Sequence, residues 1–138
     1  ATLIVRTSGV FSGVGNNFLT TVINHARQGK AFTVSHTPIH CPTYAADLSA
    51  ALIALARDYP QMRGLFHFTG GVALSGDDFA RKILTAAGLD TSLITPADNQ
   101  TPTVARPKYS VLSSELDLRL PTHTLDEAIT ESLSALSE

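Results

Sequence analysis

The sequence predicts an α/β fold in which short strands alternate with amphipathic helices. Three observations support this prediction. Several short runs are apolar and rich in β-branched residues, as strands are. Between them, apolar residues recur at the three- and four-residue spacing of helices. Serine, threonine and asparagine stand where these helices would begin, and glycine or proline where they would end.

The first half of the chain alternates between the two kinds of element. In order, we predict a strand over 2–6, a helix from 16 or 17 to 28, a strand over 32–34, a helix over 44–59 and a strand over 65–69. A strand that is apolar nearly throughout normally needs cover on both faces, as in a parallel sheet, and we expect the rest of this chain not to supply enough of it. Thr43 is the expected N-cap of the second helix, whose predicted apolar stripe comprises Leu48, Leu52, Leu55 and Ala56.

The second half contains two capping-box patterns. Ser75 and Asp78 form the first and predict a helix that ends near Gly88. Thr124 and Glu127 form the second and predict a final helix, whose apolar face comprises Leu125, Ala128, Ile129, Leu133 and Leu136. Between these helices we predict short strands near 93–94 and over 109–112, and a brief helix from Ser113 through Leu118.

The composition indicates one folded domain and disfavours several function classes. The 138 residues are 43% hydrophobic and 16% charged, below the usual charged share of about 25%, which argues against disorder. A net charge of −2 argues against nucleic-acid binding. No apolar run approaches the roughly 20 residues of a membrane span, and Ala1–Arg6 lacks the pattern of a signal peptide. The single cysteine excludes an internal disulfide. We therefore expect a cytoplasmic domain that binds no membrane.

The glycines after the first strand are candidates for a phosphate-binding loop. Gly9, Gly13 and Gly15 precede a helix, and backbone N–H groups at a helix N-terminus attract anions. Their spacing matches neither the dinucleotide fingerprint nor the Walker loop. Two interpretations stay open, a flexible turn and a loop that touches the outer part of a nucleotide.

The remaining titratable residues do not predict a metal or catalytic site. The five histidines have no ordered partners, apart from Cys41 beside His40, and a lone cysteine is more often a packed side chain. Asp47, Asp77 and Asp78 stand in first turns of helices, where the helix dipole accounts for a carboxylate. Of these, we expect Asp77 to lie on the surface.

Arg106 is the strongest candidate for binding a ligand. It stands beside Pro107 in a loop, and an arginine can bind a phosphate through two parallel hydrogen bonds. The alternative is an exposed basic loop that binds nothing.

Several motifs together resemble the dTDP-4-dehydrorhamnose reductases, which are extended short-chain dehydrogenase/reductases. The similar runs, in order over essentially the whole chain, are Leu3–Phe11, Asn17–Phe18, Cys41–Leu48, Gly64–Gly70, Asp78–Ala80 and Thr101–Pro107. The resemblance corresponds only to the C-terminal half of such an enzyme. It implies a single substrate-binding domain over 1–138, in which residues 1–12 are a late Rossmann strand and its loop, without the N-terminal dinucleotide-binding half.

The resemblance also implies what this chain lacks and what it keeps. Family members use a glycine-rich dinucleotide loop and a tyrosine with a lysine four residues later, and neither feature is present here. We therefore expect no catalytic, cofactor-binding or metal-binding residue in this chain, and no activity from it alone. The expected ligand is a dTDP-sugar, with Arg106 on the diphosphate and Asn17 and Phe18 near the nucleotide. The whole protein would reduce a 4-keto sugar with NADPH, or NADH, in dTDP-rhamnose synthesis.

One departure from the family favours an alternative. Family members commonly have tryptophan at the position of Gly9, and its absence removes a large stacking surface. The chain would then be a non-catalytic regulatory or interaction module, like the β subunit of methionine adenosyltransferase. The apolar start also predicts a fragment of a longer protein, whose first strand pairs with a second copy to give a homo-oligomer.

Overall fold

The computed structural model describes residues 2–97, 106–114, 116–120 and 122–136. The described residues alternate between strands and helices, as predicted. The elements are β1 (Leu3–Arg6), β2 (Val10–Phe11), α1 (Phe18–Arg27), β3 (Phe32–Ser35), β4 (Thr43–Tyr44), α2 (Ala45–Asp58), β5 (Gly64–His67), α3 (Gly76–Ala86), β6 (Ile94–Ala97) and α4 (Leu125–Leu136). A short 3-10 helix, Thr91–Leu93, leads into β6.

The strands form three parallel pairs, β1 with β5, β2 with β4 and β3 with β6. Parallel strands need a crossover connection, and helices lie within each connection here: α1 between β2 and β4, α1 and α2 between β1 and β5, and α2 and α3 between β3 and β6. In the first pair Ile4 lies beside Leu65, and Arg6 beside His67. The carboxyl ends of β1 and β5 therefore meet at the same edge.

Two apolar clusters hold these elements together. The larger one packs α1, α3 and α4 against β2, β3 and β6, and its most buried large side chains include Phe11, Leu19, Ile23, Phe79, Ile83, Leu84 and Ile129. The smaller one lies between α2 and the β1–β5 pair and comprises Ala51, Leu55, Phe66 and Phe68. Removal of such side chains from water is the main stabilising contribution to the fold.

The first strand is covered on one face only, in agreement with the expectation that this chain does not supply full cover for it. Leu3 and Val5 pack against the smaller cluster, but Ile4 is 56% exposed. Its neighbour Leu65, on β5, is 49% exposed. The reason is that α2 covers one face of this two-stranded pair, and no described element covers the other.

The predicted caps Ser75 and Thr124 are confirmed, and Asn17, one of the two predicted starts of the first helix, caps α1. Asn17, Ser75 and Thr124 each accept hydrogen bonds from backbone N–H groups of the first turn. Thr43 does not cap α2, because it lies in β4 and its hydroxyl donates to the carbonyl of Ser8 instead. The N-cap is Tyr44, which makes no side-chain capping bond.

The predicted stripe of α2 is also partly wrong. Leu55 is buried, whereas Leu52 and Ala56 are exposed and the helix instead buries Ala51 and Ala54. Of these, Ala51 packs with Leu55 in the cluster that contains Phe66 and Phe68. The apolar spacing alone could not indicate which side of α2 meets a partner.

The strand predicted over 109–112 is reduced to one parallel bridge, between Tyr109 and Ile39. The described residues among 113–118 form no helix, so the brief helix predicted from Ser113 is wrong. Thr101–Ala105, part of the motif before Arg106, lie outside the described residues.

Candidate functional site

Asn17 begins α1 and holds the loop before it. Its side-chain NH2 donates to the carbonyls of Ser12 (3.0 Å) and Val14 (3.1 Å). Its Oδ1 accepts from the backbone N–H groups of Leu19 (3.1 Å) and Thr20 (3.5 Å). An asparagine side chain has two donor hydrogens and two acceptor lone pairs, so all four are used within the chain. A ligand could reach this amide only by displacing one of these bonds.

The neighbouring Asn16 was not singled out by the sequence analysis. It is exposed, and its Oδ1 accepts a 3.4 Å hydrogen bond from the hydroxyl of Thr21. Its NH2 group has no partner among the described residues. An asparagine pair directly before a helix is the signal that could have identified it, since only one of the two can be the cap.

Phe18 presents an aromatic ring at the start of α1. It is 36% exposed and stacks on Phe79 of α3, with ring centroids 5.3 Å apart and planes 11° apart. Phe79 is buried and meets Phe11 edge to face at 5.1 Å. The exposed part of Phe18 is therefore backed by a fixed aromatic row, which suits it to stack against a planar ring.

Arg106 lies on an exposed segment whose backbone is hydrogen-bonded to Ile39, in the linker between β3 and β4. The backbone N–H of Ile39 donates to the carbonyl of Lys108 (3.0 Å), and that of Ser110 donates to the carbonyl of Ile39 (2.9 Å). The Arg106 side chain makes no hydrogen bond or ion pair with any residue that the structure describes. A free guanidinium on a tethered segment is available to bind an anion.

Of the three predicted site residues, Asn17 and Phe18 are neighbours in the chain, and Arg106 makes no described contact with either. Within the described ranges, no hydrogen bond or ion pair joins Arg106 to Asn17 or Phe18. They form two patches, an aromatic one at the start of α1 and a cationic one beside Ile39. Only a ligand with separate planar and anionic parts would contact both.

Gly9 lies between β1 and β2 in a conformation that excludes a side chain. Its φ is +51°, in the left-handed region that favours glycine. A Cβ atom there would lie 2.7 Å from Cδ2 and 3.0 Å from Nε2 of the His40 ring. The imidazole of His40 therefore occupies the space over Gly9, and an indole at position 9 would require His40 to move.

His123 and Asp47 form an ion pair that the sequence did not indicate. His123 Nδ1 lies 2.6 Å from Asp47 Oδ1, and the backbone N–H of His123 donates to Asp47 Oδ2 at 2.9 Å. The hydrogen bond to Asp47, opposed by partial desolvation, raises the pKa of His123, and the charges of Asp47, Glu131 and Glu127 add to it. Asp47 is buried, so it does more than complement the helix dipole.

Asp77 is buried, not on the surface as predicted. It is 6% exposed, and its Oδ1 accepts hydrogen bonds from the hydroxyl of Ser75 (2.6 Å) and from His36 Nδ1 (2.9 Å). Burial raises the pKa of the Asp77 carboxyl, but these two hydrogen bonds and the charge of His36 outweigh it, so the pKa lies below its usual value. The physical reason for the error is that His36 lies 41 positions away in sequence.

The remaining candidates behave as packed residues. Cys41 is a free thiol and is buried, as predicted for a small packed side chain. Among the described residues, no three histidine, cysteine, aspartate or glutamate side chains are grouped to hold a metal ion. No described helix has both the length and the apolar character needed to cross a membrane.

The glycine loop contacts the rest of the chain at two of its three glycines. The carbonyl of Gly9 accepts from the backbone N–H of Thr43 at 3.1 Å. Gly13 is buried against α4, where a Cβ atom would lie 1.9 Å from the carbonyl oxygen of Ser132. The loop thus packs against the chain itself, and we assign it no step of cofactor chemistry.

Comparison with known proteins identifies the relatives of this fold. The family model described as the RmlD substrate binding domain matches residues 1–137. The chain is 35% identical over 114 residues to the spore coat polysaccharide biosynthesis protein SpsK of Bacillus subtilis, covering 80% of this chain and 38% of that protein. It is 31% identical over 135 residues to the dTDP-4-dehydrorhamnose reductase of Salmonella typhimurium, covering 86% of this chain and 45% of that protein.

Solved structures give the same result. A dTDP-4-dehydrorhamnose reductase from Clostridium acetobutylicum superposes with a TM-score of 0.85 and 32% identity, over 99% of this chain and 49% of that one. The Bacillus anthracis enzyme, in complex with NADP, has a TM-score of 0.77 and 27% identity, over 96% of this chain and 47% of that one. The chain thus spans less than half the length of these relatives.

These matches confirm the predicted fold class, the substrate-binding portion of an extended short-chain dehydrogenase/reductase. Since the family model covers nearly every residue, the chain belongs to the RmlD substrate-binding domain family.

Proposed function

We propose that this chain binds a dTDP-sugar as the substrate-binding portion of a dTDP-4-dehydrorhamnose reductase. The observation that carries the proposal is the family match over residues 1–137 in a chain with a free, exposed Arg106. The relatives named dTDP-4-dehydrorhamnose reductase supply the substrate class. The cytoplasm is the compartment we propose for it.

Each candidate residue has a distinct role in this proposal. Arg106 binds the diphosphate through two parallel hydrogen bonds, because its guanidinium matches two phosphate oxygens. Phe18 stacks on the nucleotide base, supported from behind by Phe79. Asn17 acts mainly by holding the loop that carries Asn16 and Phe18, since its own amide is already bonded.

The chain alone is proposed to be inactive. None of Tyr44, Tyr59 and Tyr109 is followed by a lysine four positions later, and the spacing of Gly9, Gly13 and Gly15 matches neither the dinucleotide fingerprint nor the Walker loop. In a longer protein, NADPH or NADH would supply the reducing equivalents for a 4-keto sugar, and we assign no part of that step to this chain. Purified chain mixed with NADPH and a dTDP-4-keto sugar should show no NADPH oxidation, and measurable turnover would contradict the proposal.

Calorimetric titration with dTDP tests the binding role of Arg106. Arg106→Ala should weaken binding by about 1.5–3 kcal/mol, the size of a hydrogen bond to a charged group, which is roughly a 10- to 150-fold increase in Kd. Arg119→Ala is the matched control, because Arg119 is also an exposed arginine of the segment before α4. An equal effect of the two substitutions would remove Arg106 from the site.

A second candidate function is favoured by Gly9. The ring of His40 lies over Gly9, so a side chain at the position where the resembled enzymes commonly have tryptophan would require His40 to move. The alternative is a non-catalytic regulatory module that binds another protein. Absence of dTDP binding, together with a stoichiometric protein partner that co-purifies with the chain, would support this alternative over the first.

Self-association through β1 is a further part of the proposal. Ile4 and Leu65 expose apolar surface side by side on the β1–β5 pair. A short, uncovered parallel pair is a weak structure alone, and it can be extended or covered by a second copy. Light scattering of the isolated chain should give a dimer or larger mass, and a monomeric mass at high protein concentration would contradict this.

A further inference from the structure

His123 lies where three elements meet, in the segment before α4. Its Nδ1 lies 2.6 Å from Asp47 Oδ1 on α2, and its Nε2 lies 3.3 Å from Glu131 Oε1 on α4. The hydroxyl of Tyr44, in β4, donates to the other oxygen of Glu131 at 3.4 Å. We call these four residues, His123, Asp47, Glu131 and Tyr44, the His123 clasp.

The contact between Nε2 and Glu131 is an ion pair, so it is attractive only when the imidazole is protonated and charged. Both ring nitrogens face carboxylate oxygens, which accept hydrogen bonds and cannot donate them when ionised. A neutral imidazole has one N–H, and the shorter contact with Asp47 keeps that hydrogen on Nδ1. Loss of the second proton therefore turns the Nε2 lone pair toward Glu131 and ends the attraction between the ring and α4.

The helix that the clasp holds also supports the glycine loop. Gly13 packs directly on the backbone of α4: a Cβ atom at Gly13 would lie 1.9 Å from the carbonyl oxygen of Ser132 and 3.0 Å from Cβ of Ala135. Ser132 directly follows Glu131. The position of this part of α4 thus determines the position of the loop that leads to Asn17.

We propose that protonation of His123 fastens α4 to α2 and thereby fixes the Gly13 loop against α4, which makes the clasp a proton-operated switch. The inference concerns the isolated chain and does not depend on its ligand. At higher pH the clasp opens at Glu131 while the bond to Asp47 remains, so α4 and the Gly13 loop separate more often.

The direction of the response follows from every charged group that faces the ring. Asp47 on α2 and Glu131 and Glu127 on α4 all favour the imidazolium, and the hydroxyl of Tyr44 is neutral in this range because its own pKa is raised by burial and by Glu131. The pKa of His123 in the folded chain is therefore above its ordinary value. A histidine whose pKa is higher in the folded chain than in the unfolded chain stabilises the fold fully at pH values below the unfolded-state pKa. This stabilisation is lost as pH rises through the folded-state pKa.

Amide hydrogen exchange by NMR tests the switch at individual residues. We would compare protection of Gly13 and of the Glu131–Ala135 amides from about pH 5.5 to about pH 8.5, corrected for intrinsic exchange, a range that spans ordinary histidine pKa values. Protection should fall as pH rises, by about two- to fivefold, the size expected for one partly exposed ion pair. Glu131→Gln should remove this dependence, because a neutral amide lacks the charge that attracts the imidazolium.

Two further variants make the test specific. His123→Gln removes the titrating group and should abolish the pH dependence at Gly13 and in α4. His36→Gln is the matched control, since it removes another histidine paired with a buried aspartate and should leave the response unchanged. A pH-independent protection in the unsubstituted chain, or a dependence that survives in Glu131→Gln, would overturn the proposal. Glu131 is exposed, so this second variant is informative even if His123→Gln does not fold.

Discussion

Replacement of Gly13 by alanine probes the contact between the glycine loop and α4. The added Cβ would lie 1.9 Å from the carbonyl oxygen of Ser132, whereas a carbon and an oxygen normally stay about 3.3 Å apart. The loop and the helix must therefore separate by more than about 1 Å. Neither side yields easily, because the obstructing atom belongs to the helix backbone and not to a flexible side chain.

The cost can be estimated from the packing of α4. This helix buries Leu125, Ala128 and Ile129 in the larger cluster, so a displacement loosens those contacts as well. Overpacking in a close-packed interior typically costs 1–3 kcal/mol, and the rigid contact places Gly13→Ala at about 3 kcal/mol. That is a large share of the 5–15 kcal/mol typical of a domain.

Urea unfolding measures this loss, with Gly15→Ala as the matched control. With an m value of about 1–3 kcal/mol/M, Gly13→Ala should lower the urea midpoint by about 1–3 M without changing m. Gly15 has a φ of +75° and open space around its Cβ position, so Gly15→Ala pays only the backbone cost of about 1–2 kcal/mol. A smaller loss for Gly13→Ala than for Gly15→Ala would refute the packing argument.

Two more outcomes follow from burial and charge. Ile129→Ala should lower the free energy of unfolding by about 2–5 kcal/mol, because the Ile129 side chain is 1% exposed in the larger cluster. Ile53→Ala, at a 64% exposed position, should change the free energy of unfolding by less than about 0.5 kcal/mol. Equal losses in urea unfolding would contradict the described core. The lowered pKa of Asp77 stabilises the fold above the ordinary carboxyl pKa, and this effect is lost as pH falls through the folded pKa. Asp77→Asn should therefore reduce the loss of stability on acidification. If the free energy of unfolding falls equally at acidic pH in the variant and in the unsubstituted chain, the pair with His36 contributes nothing to stability.

Elements whose signals lie within a few positions of the chain were predictable from the sequence. The starts of α1, α3 and α4 follow from Asn17, Ser75 and Thr124, because a cap is formed within a few positions of the chain. The short strands β2 and β4 were not predicted. They exist because Val10 and Phe11 pair with residues more than 30 positions away, and a two-residue strand has no pattern of its own.

The site was predictable only in part for the same reason. The exposed Arg106 and Phe18 could be found as residue types in a loop and at a helix start. The pairs of Asp47 with His123 and of Asp77 with His36 join positions 76 and 41 apart, so no local spacing indicates them. In both cases the helix dipole was a sufficient local reason for the carboxylate and concealed its partner.

NMR chemical-shift mapping with dTDP tests the proposed binding function most directly. We predict saturable shifts of amides at the start of α1, around Asn16 and Phe18, and on the cationic segment at Arg106 and Lys108. Saturable shifts confined to other parts of the chain, or none at millimolar dTDP while the spectrum remains that of a folded protein, would contradict it.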